Sequence, residues 1–167
     1  VTGAASGTFQ YVVIYDAGAG FVTGGGWINS PAGASMQYPD ATGKANFGFN
    51  SKYQNGANVP SGDTQFQFQA GNLNFKSKVY QWLVISGARA QYKGSGTING
   101  AGDYGFILTA IDGSINGGGG VDRFRIKIWD NNDGGAIVYD NQMGTDDTSA
   151  LTNPGTALGG GSIVIHK

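Results

Sequence analysis

KANFGFNSKY, residues 44–53, alternates with a period of two: Ala45, Phe47, Phe49 and Tyr53 fall on one face, Lys44, Asn46, Asn50 and Lys52 on the other. Successive side chains of a strand point to opposite sides, so one face of this strand is core and the other meets water. TQFQFQA, residues 64–70, repeats the pattern, with Phe66 and Phe68 inward and Gln65, Gln67 and Gln69 outward. Both read as strands of a half-buried antiparallel sheet.

Working outward, further strand signals follow one another with turn residues between them, and no segment sustains an apolar period of 3.6. FQYVVIYD (9–16) and FVTGGGWI (21–28) flank AGAG as a first hairpin, and LNF (73–75) is a short strand. VYQWLVIS (79–86), ARAQYKGSGTIN (88–99) and DYGFILTAID (103–112) come next. The strand carrying Phe106, Ile107 and Leu108 is apolar on both faces, which predicts a central strand covered on both sides. DRFRIKIWD (122–130) and AIVYD (136–140) form a hairpin, and GSIVIHK closes the chain. Trp27, Trp82 and the tyrosines at 11, 15, 53 and 80 sit in apolar strands and are expected in the core.

The composition agrees. Thirty-one glycines, no cysteine and eleven carboxylates that are all aspartate favour strands joined by turns over helices. The expectation is an all-β chain: a two-sheet antiparallel β-sandwich, jelly-roll-like, of about ten strands, forming one domain over residues 1–167. The segments 113–120 and 143–160 are the longest without strand character, and long loops on a rigid scaffold are where binding residues concentrate.

Several functional classes fit poorly. Ten Lys and Arg against eleven Asp give a formal charge of −1 with no basic run, so no nucleic-acid partner is expected. No apolar run reaches the roughly 18 residues of a membrane span. Without cysteine there is no thiol nucleophile, and the single histidine, His166, leaves no multi-histidine metal site. Paired aspartates could still hydrolyse glycosides, and Asp103, Asp112, Asp122, Asp130 and Asp140 all fall at strand ends.

DNNDGG, residues 130–135, admits two readings. Calcium takes six to eight oxygens, and Asp130, Asn132 and Asp133 offer part of such a shell, with Asp140 or a carboxylate from another loop to complete it. The spacing departs from an EF-hand, with Gly134 at the fifth position and Asn141 at the closing one. A hairpin turn demands Asn, Asp and Gly with no metal at all. Asp146 and Asp147 in GTDDTS are a second candidate cation site on the same terms.

Sugar binding is the other chemistry in view. In DRFRIKIWD, Phe124, Ile126 and Ile128 share one face while Arg123, Arg125, Lys127 and Trp129 share the opposite one. An exposed indole beside cationic groups is a platform for the apolar face of a sugar ring. Arg89, Gln91 and Lys93, with Gln65 and Gln67, extend that surface if their strands are neighbours. The plainer alternative is that Trp129 caps the core or stacks on Arg125 or Lys127.

Seven ordered blocks, FVTGGGWINSPAG, GKANFGFNSKY, TQFQFQAGNLNF, YQWLVISGARAQYKGSGTING, GDYGFILTAIDG, GGGGVDRFRIKIWD and ALGGGSIVIHK, carry a resemblance over nearly the whole chain. Together they resemble the C-terminal module of large secreted or surface-attached bacterial proteins, where it follows immunoglobulin-like repeats of the PKD or HYR type. The resemblance implies an extracellular module ending at Lys167 beside immunoglobulin-like neighbours, and brings no catalytic residues with it. The resulting expectation is a non-catalytic structural or adhesive module, with calcium as its optional cofactor. A carbohydrate-binding module and an aspartate-dependent hydrolase are the alternatives.

Overall fold

The computed structural model describes residues 20–147 and 155–166. The strand expected at 9–16, with Tyr11 and Tyr15, lies outside them, as does part of the 143–160 segment. Among the described residues there are eleven strands: β1 Phe21–Ser30, β2 Gly43–Tyr53, β3 Pro60–Ser61, β4 Thr64–Phe68, β5 Leu73–Ser86, β6 Arg89–Ile98, β7 Ala101–Ile111, β8 Arg123–Asp130, β9 Ala136–Asp140, β10 Thr156–Ala157 and β11 Gly160–His166. The two runs read separately at 73–75 and 79–86 are one strand, β5. A single 3-10 turn, Gln69–Gly71, joins β4 to β5 and ends on Asn72 in the left-handed region, φ 52°.

Every strand pair is antiparallel. The order is β10-β8-β7-β6-β5-β4-β2-β1-β11, with β3 beside β2 and β9 beside β8. The strands expected to form two separate sheets therefore belong to one hydrogen-bonded sheet, curled into half a barrel. Its inner face closes over a single core. Phe47 of β2 stacks on Phe124 of β8 with ring centres 4.1 Å apart, although β4, β5, β6 and β7 lie between them in the sheet. Phe66 likewise meets Tyr139 of β9 at 4.8 Å.

The inward residues are those the alternation assigns. Phe47, Phe49 and Tyr53 of β2, Phe66 and Phe68 of β4, and Phe124, Ile126 and Ile128 of β8 are all buried. Each such side chain contributes about 1.5–3 kcal/mol on leaving water. β7 is buried on both faces from Gly105 to Ile111, as its unbroken apolar run predicts. One buried polar cluster satisfies itself: the Thr64 hydroxyl lies 2.6 Å from both the Tyr80 and Tyr92 hydroxyls, and Tyr80 donates to the Asn50 carbonyl at 2.9 Å. Burial pushes the Tyr92 phenol well above the usual tyrosine range, so it stays a neutral partner.

The curled sheet is sealed by side chains where its ends meet. After β10 pairs with β8, the chain crosses at Leu158 and Gly159 and runs back as β11 beside β1. Along the other edge of β11, Asp122 accepts from the Ile163 N–H at 2.8 Å and Asp112 from the Ile165 N–H at 2.9 Å. Burial opposes the charge on Asp112. The hydrogen bonds from Ile165 and Ser114, with His166 nearby, outweigh it and hold the carboxyl below its ordinary range. Two aspartates read as catalytic candidates thus take the place of a backbone ladder.

Candidate functional site

The outer face of β5 through β9 is built in cross-strand rows. Lys93 of β6 sits beside Ile107 of β7 and Lys127 of β8, and Trp82 of β5 lies opposite Lys93. The next row places Gln91 beside Thr109 and Arg125. Trp129 follows Lys127 at the far end of β8, opposite Gly105. Trp82, Gln91, Lys93, Lys127 and Trp129 line a groove of about 600 Å3, floored by Ile107 and Ile137, with Asp147 at its rim.

Trp129 is placed by what lies under it. A Cβ at position 105 would overlap the indole, so only glycine lets the ring lie against β7. Its Nε1 donates to Asn131 Oδ1 at 3.1 Å, and Asn131 Nδ2 donates to Asp103 at 3.3 Å. The Lys93 ammonium stands 5.6 Å from the ring centre. The indole is thus fixed at its polar edge while the residue remains partly open.

Trp82 does not join the core as expected. Strict alternation would put it on the face of Tyr80, which is buried. β5 instead shifts register between Tyr80 and Trp82, and again between Ser77 and Val79. A bulge of this kind inverts which face the following side chains occupy, so Leu83 turns inward and Trp82 outward into the groove. The signal was in the opposite strand: a Cβ at Gly94 or Gly96 would collide with the β5 backbone at Val79 or Lys76. The glycines of KGSG are the counterpart of the bulges. Trp27 is also outside the core, half-buried on β1 with the Lys44 ammonium 4.5 Å from its ring.

Arg125 forms the base of the site and is itself closed off. Its Nε and Nη2 donate to the two oxygens of Asp140 at 3.0 and 2.8 Å, and both residues are 2% exposed. The same guanidinium binds the backbone carbonyls of Thr145 and Asp146. Arg125 therefore anchors the loop after β9 and cannot meet a ligand as expected. Lys127 reaches Asp147 at 2.8 Å, and Gln91 donates to the Asp147 carbonyl at 2.6 Å. Asp140 and Asp147 share Arg125, the second at 3.9 Å, but only Asp147 faces the groove.

The DNNDGG residues close a turn. Asp130 Oδ1 accepts the Asn132 N–H at 2.8 Å, its carbonyl accepts from Asp133 and Gly135, and Gly134 and Gly135 take φ of 63° and 81°. Asp130, Asn132 and Asp133 stay together on this turn, whereas the Asp140 carboxylate is turned away onto Arg125. At the second candidate pair, Arg125 holds the backbone carbonyl of Asp146 and Lys127 the carboxylate of Asp147. Among the described residues no three acidic or histidine side chains converge as a metal cluster.

Arg89 lies two residues before Gln91 on the same face, in a row with Ile111 and Arg123. Its Nε and Nη2 are buried without a hydrogen-bond partner. Gln65 and Gln67 do not extend this surface: β4 lies on the far side of β5 from β6, so they belong to the other half of the sheet. Comparison of the chain with protein-family models, with curated proteins and with solved structures finds no match. What the groove can hold follows from its own residues.

Proposed function

We propose that the chain is a non-catalytic carbohydrate-binding module, an accessory domain of a secreted or surface protein, that takes a polysaccharide in the groove between Trp82 and Trp129. The observation that carries this is the pairing of two half-buried indoles with Lys93, Lys127 and Gln91 around one open concavity of about 600 Å3. Its volume is within the range of small-ligand sites, and its chemistry is that of a sugar: apolar faces for the rings, donors at the edges for the hydroxyls. The openness of an exposed sheet face suits an extended chain of residues. Trp129 is held by Gly105 and Asn131, so little ordering accompanies binding.

The structural or adhesive reading keeps one supporting observation, the side-chain seal along β11, which gives a stiff module suited to an array of immunoglobulin-like neighbours. Affinity electrophoresis through gels carrying neutral and acidic polysaccharides decides between the two. The binding reading expects at least one polymer to slow the protein and Trp129→Ala or Trp82→Ala to abolish the retardation while the fold survives. Retardation unchanged in both variants, or none with any polymer, would leave the structural reading in place.

A further inference from the structure

Charge is distributed unevenly over this small protein. Five of its ten basic residues, Arg89, Lys93, Arg123, Arg125 and Lys127, project from the outer face of β6 and β8, on a chain whose formal net charge is −1. Within that face two carboxylates answer them through ion pairs: Asp140 is consumed by Arg125, and Asp147 is shared by Lys127 and Arg125. Among the described residues, Arg89, Lys93 and Arg123 have no carboxylate within ion-pair distance.

Lys93 is the informative one. It is half-buried, stands over Trp129, and lines the groove across Ile107 from Lys127. A neutral sugar needs hydroxyl partners, which amides supply without the desolvation of an ammonium ion. Two lysines flanking Ile107 beside two indoles supply instead a place for negative charge, at reduced dielectric where such contacts are strong. Arg89, two residues before Gln91 on the same face, lies outside the groove lining, and its buried nitrogens take no part in it.

Resting on the carbohydrate-binding reading, we infer that the ligand is an acidic polysaccharide, a chain of uronic acid residues whose rings lie on Trp129 and Trp82 and whose carboxylates meet Lys93 and Lys127. Asp147 at the rim then serves as the resident counter-ion that the incoming carboxylate supplants on Lys127. The ring apposition fixes position. The carboxylates fix which polymer is retained.

The test compares polygalacturonate with its highly methyl-esterified form, which keeps the ring and removes the charge. Alginate, a neutral mannan, a neutral glucan and single-stranded oligothymidylate complete the set. The expected result is at least tenfold weaker retention of the ester than of the free acid, a preference that fades as salt rises. Lys93→Gln should shrink that preference while leaving the circular dichroism spectrum and unfolding midpoint unaltered. Trp82→Ala serves as the platform variant if Trp129→Ala does not fold. Equal retention of acid, ester and neutral polymers, lost in the tryptophan variants, would overturn the acidic assignment and leave the carbohydrate reading standing. Failure of every polymer would overturn both. Tighter binding of the oligothymidylate than of any uronate would replace the glycan by a nucleic acid strand.

Discussion

Trp27 of β1, Asn46 of β2, Gln67 of β4 and Asn74 of β5 form one row across the outer surface of the sheet, and Trp82, Lys93, Ile107 and Lys127 form another on its other half. Both rows pair an indole with polar side chains on the same pleat. The first has one tryptophan, lying against Gly159 and Gly160, and amides around a shallow depression of about 190 Å3. The second has two tryptophans, a groove of about 600 Å3 and two lysines, of which Lys127 is paired with Asp147 and Lys93 has no carboxylate within ion-pair distance among the described residues. A polar outer face is simply the solvated side of a strand. Concavity, a second aromatic ring and charge that the protein itself leaves unanswered separate a site from a surface.

That contrast can be broken most severely at its base. Arg125→Met leaves Asp140 buried without its cation and frees the loop that carries Asp147, and is expected to cost about 3–5 kcal/mol in urea unfolding. A loss below 1 kcal/mol would show that the ion pair does not organise the groove. At the seam with β11, Asp112→Ala strips the acceptor from Ile165 and Ser114, at about 1–3 kcal/mol near neutral pH.

The pH dependence of that second loss has a definite sign. The folded carboxyl of Asp112 is held below its ordinary value, so its stabilisation is complete above the unfolded pKa of about 3.9 and disappears as pH falls through the lower folded value. Thermal midpoints of wild type and variant should therefore differ at pH 7 and converge in strong acid; a gap independent of pH would refute the linkage.

Smaller effects sharpen the contrast. Trp129→Ala should weaken glycan retention at least tenfold while Gln67→Ala, on the amide half, changes nothing; equal losses from both would mean the whole face binds. Calcium is expected to have the least influence. Unfolding midpoints in millimolar calcium and in chelator should coincide, since Asp130 is engaged in its own turn and Asp140 on Arg125. A rise in calcium abolished by Asp130→Ala would instead make the turn a cation cage.

Most strands could be read directly because β2, β4 and β8 obey the two-residue period throughout, and the outward placement of Trp129 and Lys127 followed from it. Trp82 could not be read that way, because two bulges in β5 invert the parity between Tyr80 and Leu83. Their trace in the sequence lies in another strand, as glycines whose meaning depends on register. Arg125 was misplaced for a related reason: alternation says which face a side chain occupies, and only the return of residues 141–147 shows that the face is covered there. The count of sheets was hidden because the closure uses carboxylates from Asp112 and Asp122, which look like ordinary turn residues.

That closure bears on how the protein behaves in company. An unpaired strand edge is a template on which another chain can add its own strand, the first step towards swapped dimers and fibres. On β11 the outward N–H groups of Ile163 and Ile165 are already occupied by acceptors that belong to the same molecule. The edge is chemically spent. At neutral pH the protein can be crowded at high concentration without strands adding at that edge, and strong acid, by protonating Asp112, reopens that path to polymerisation.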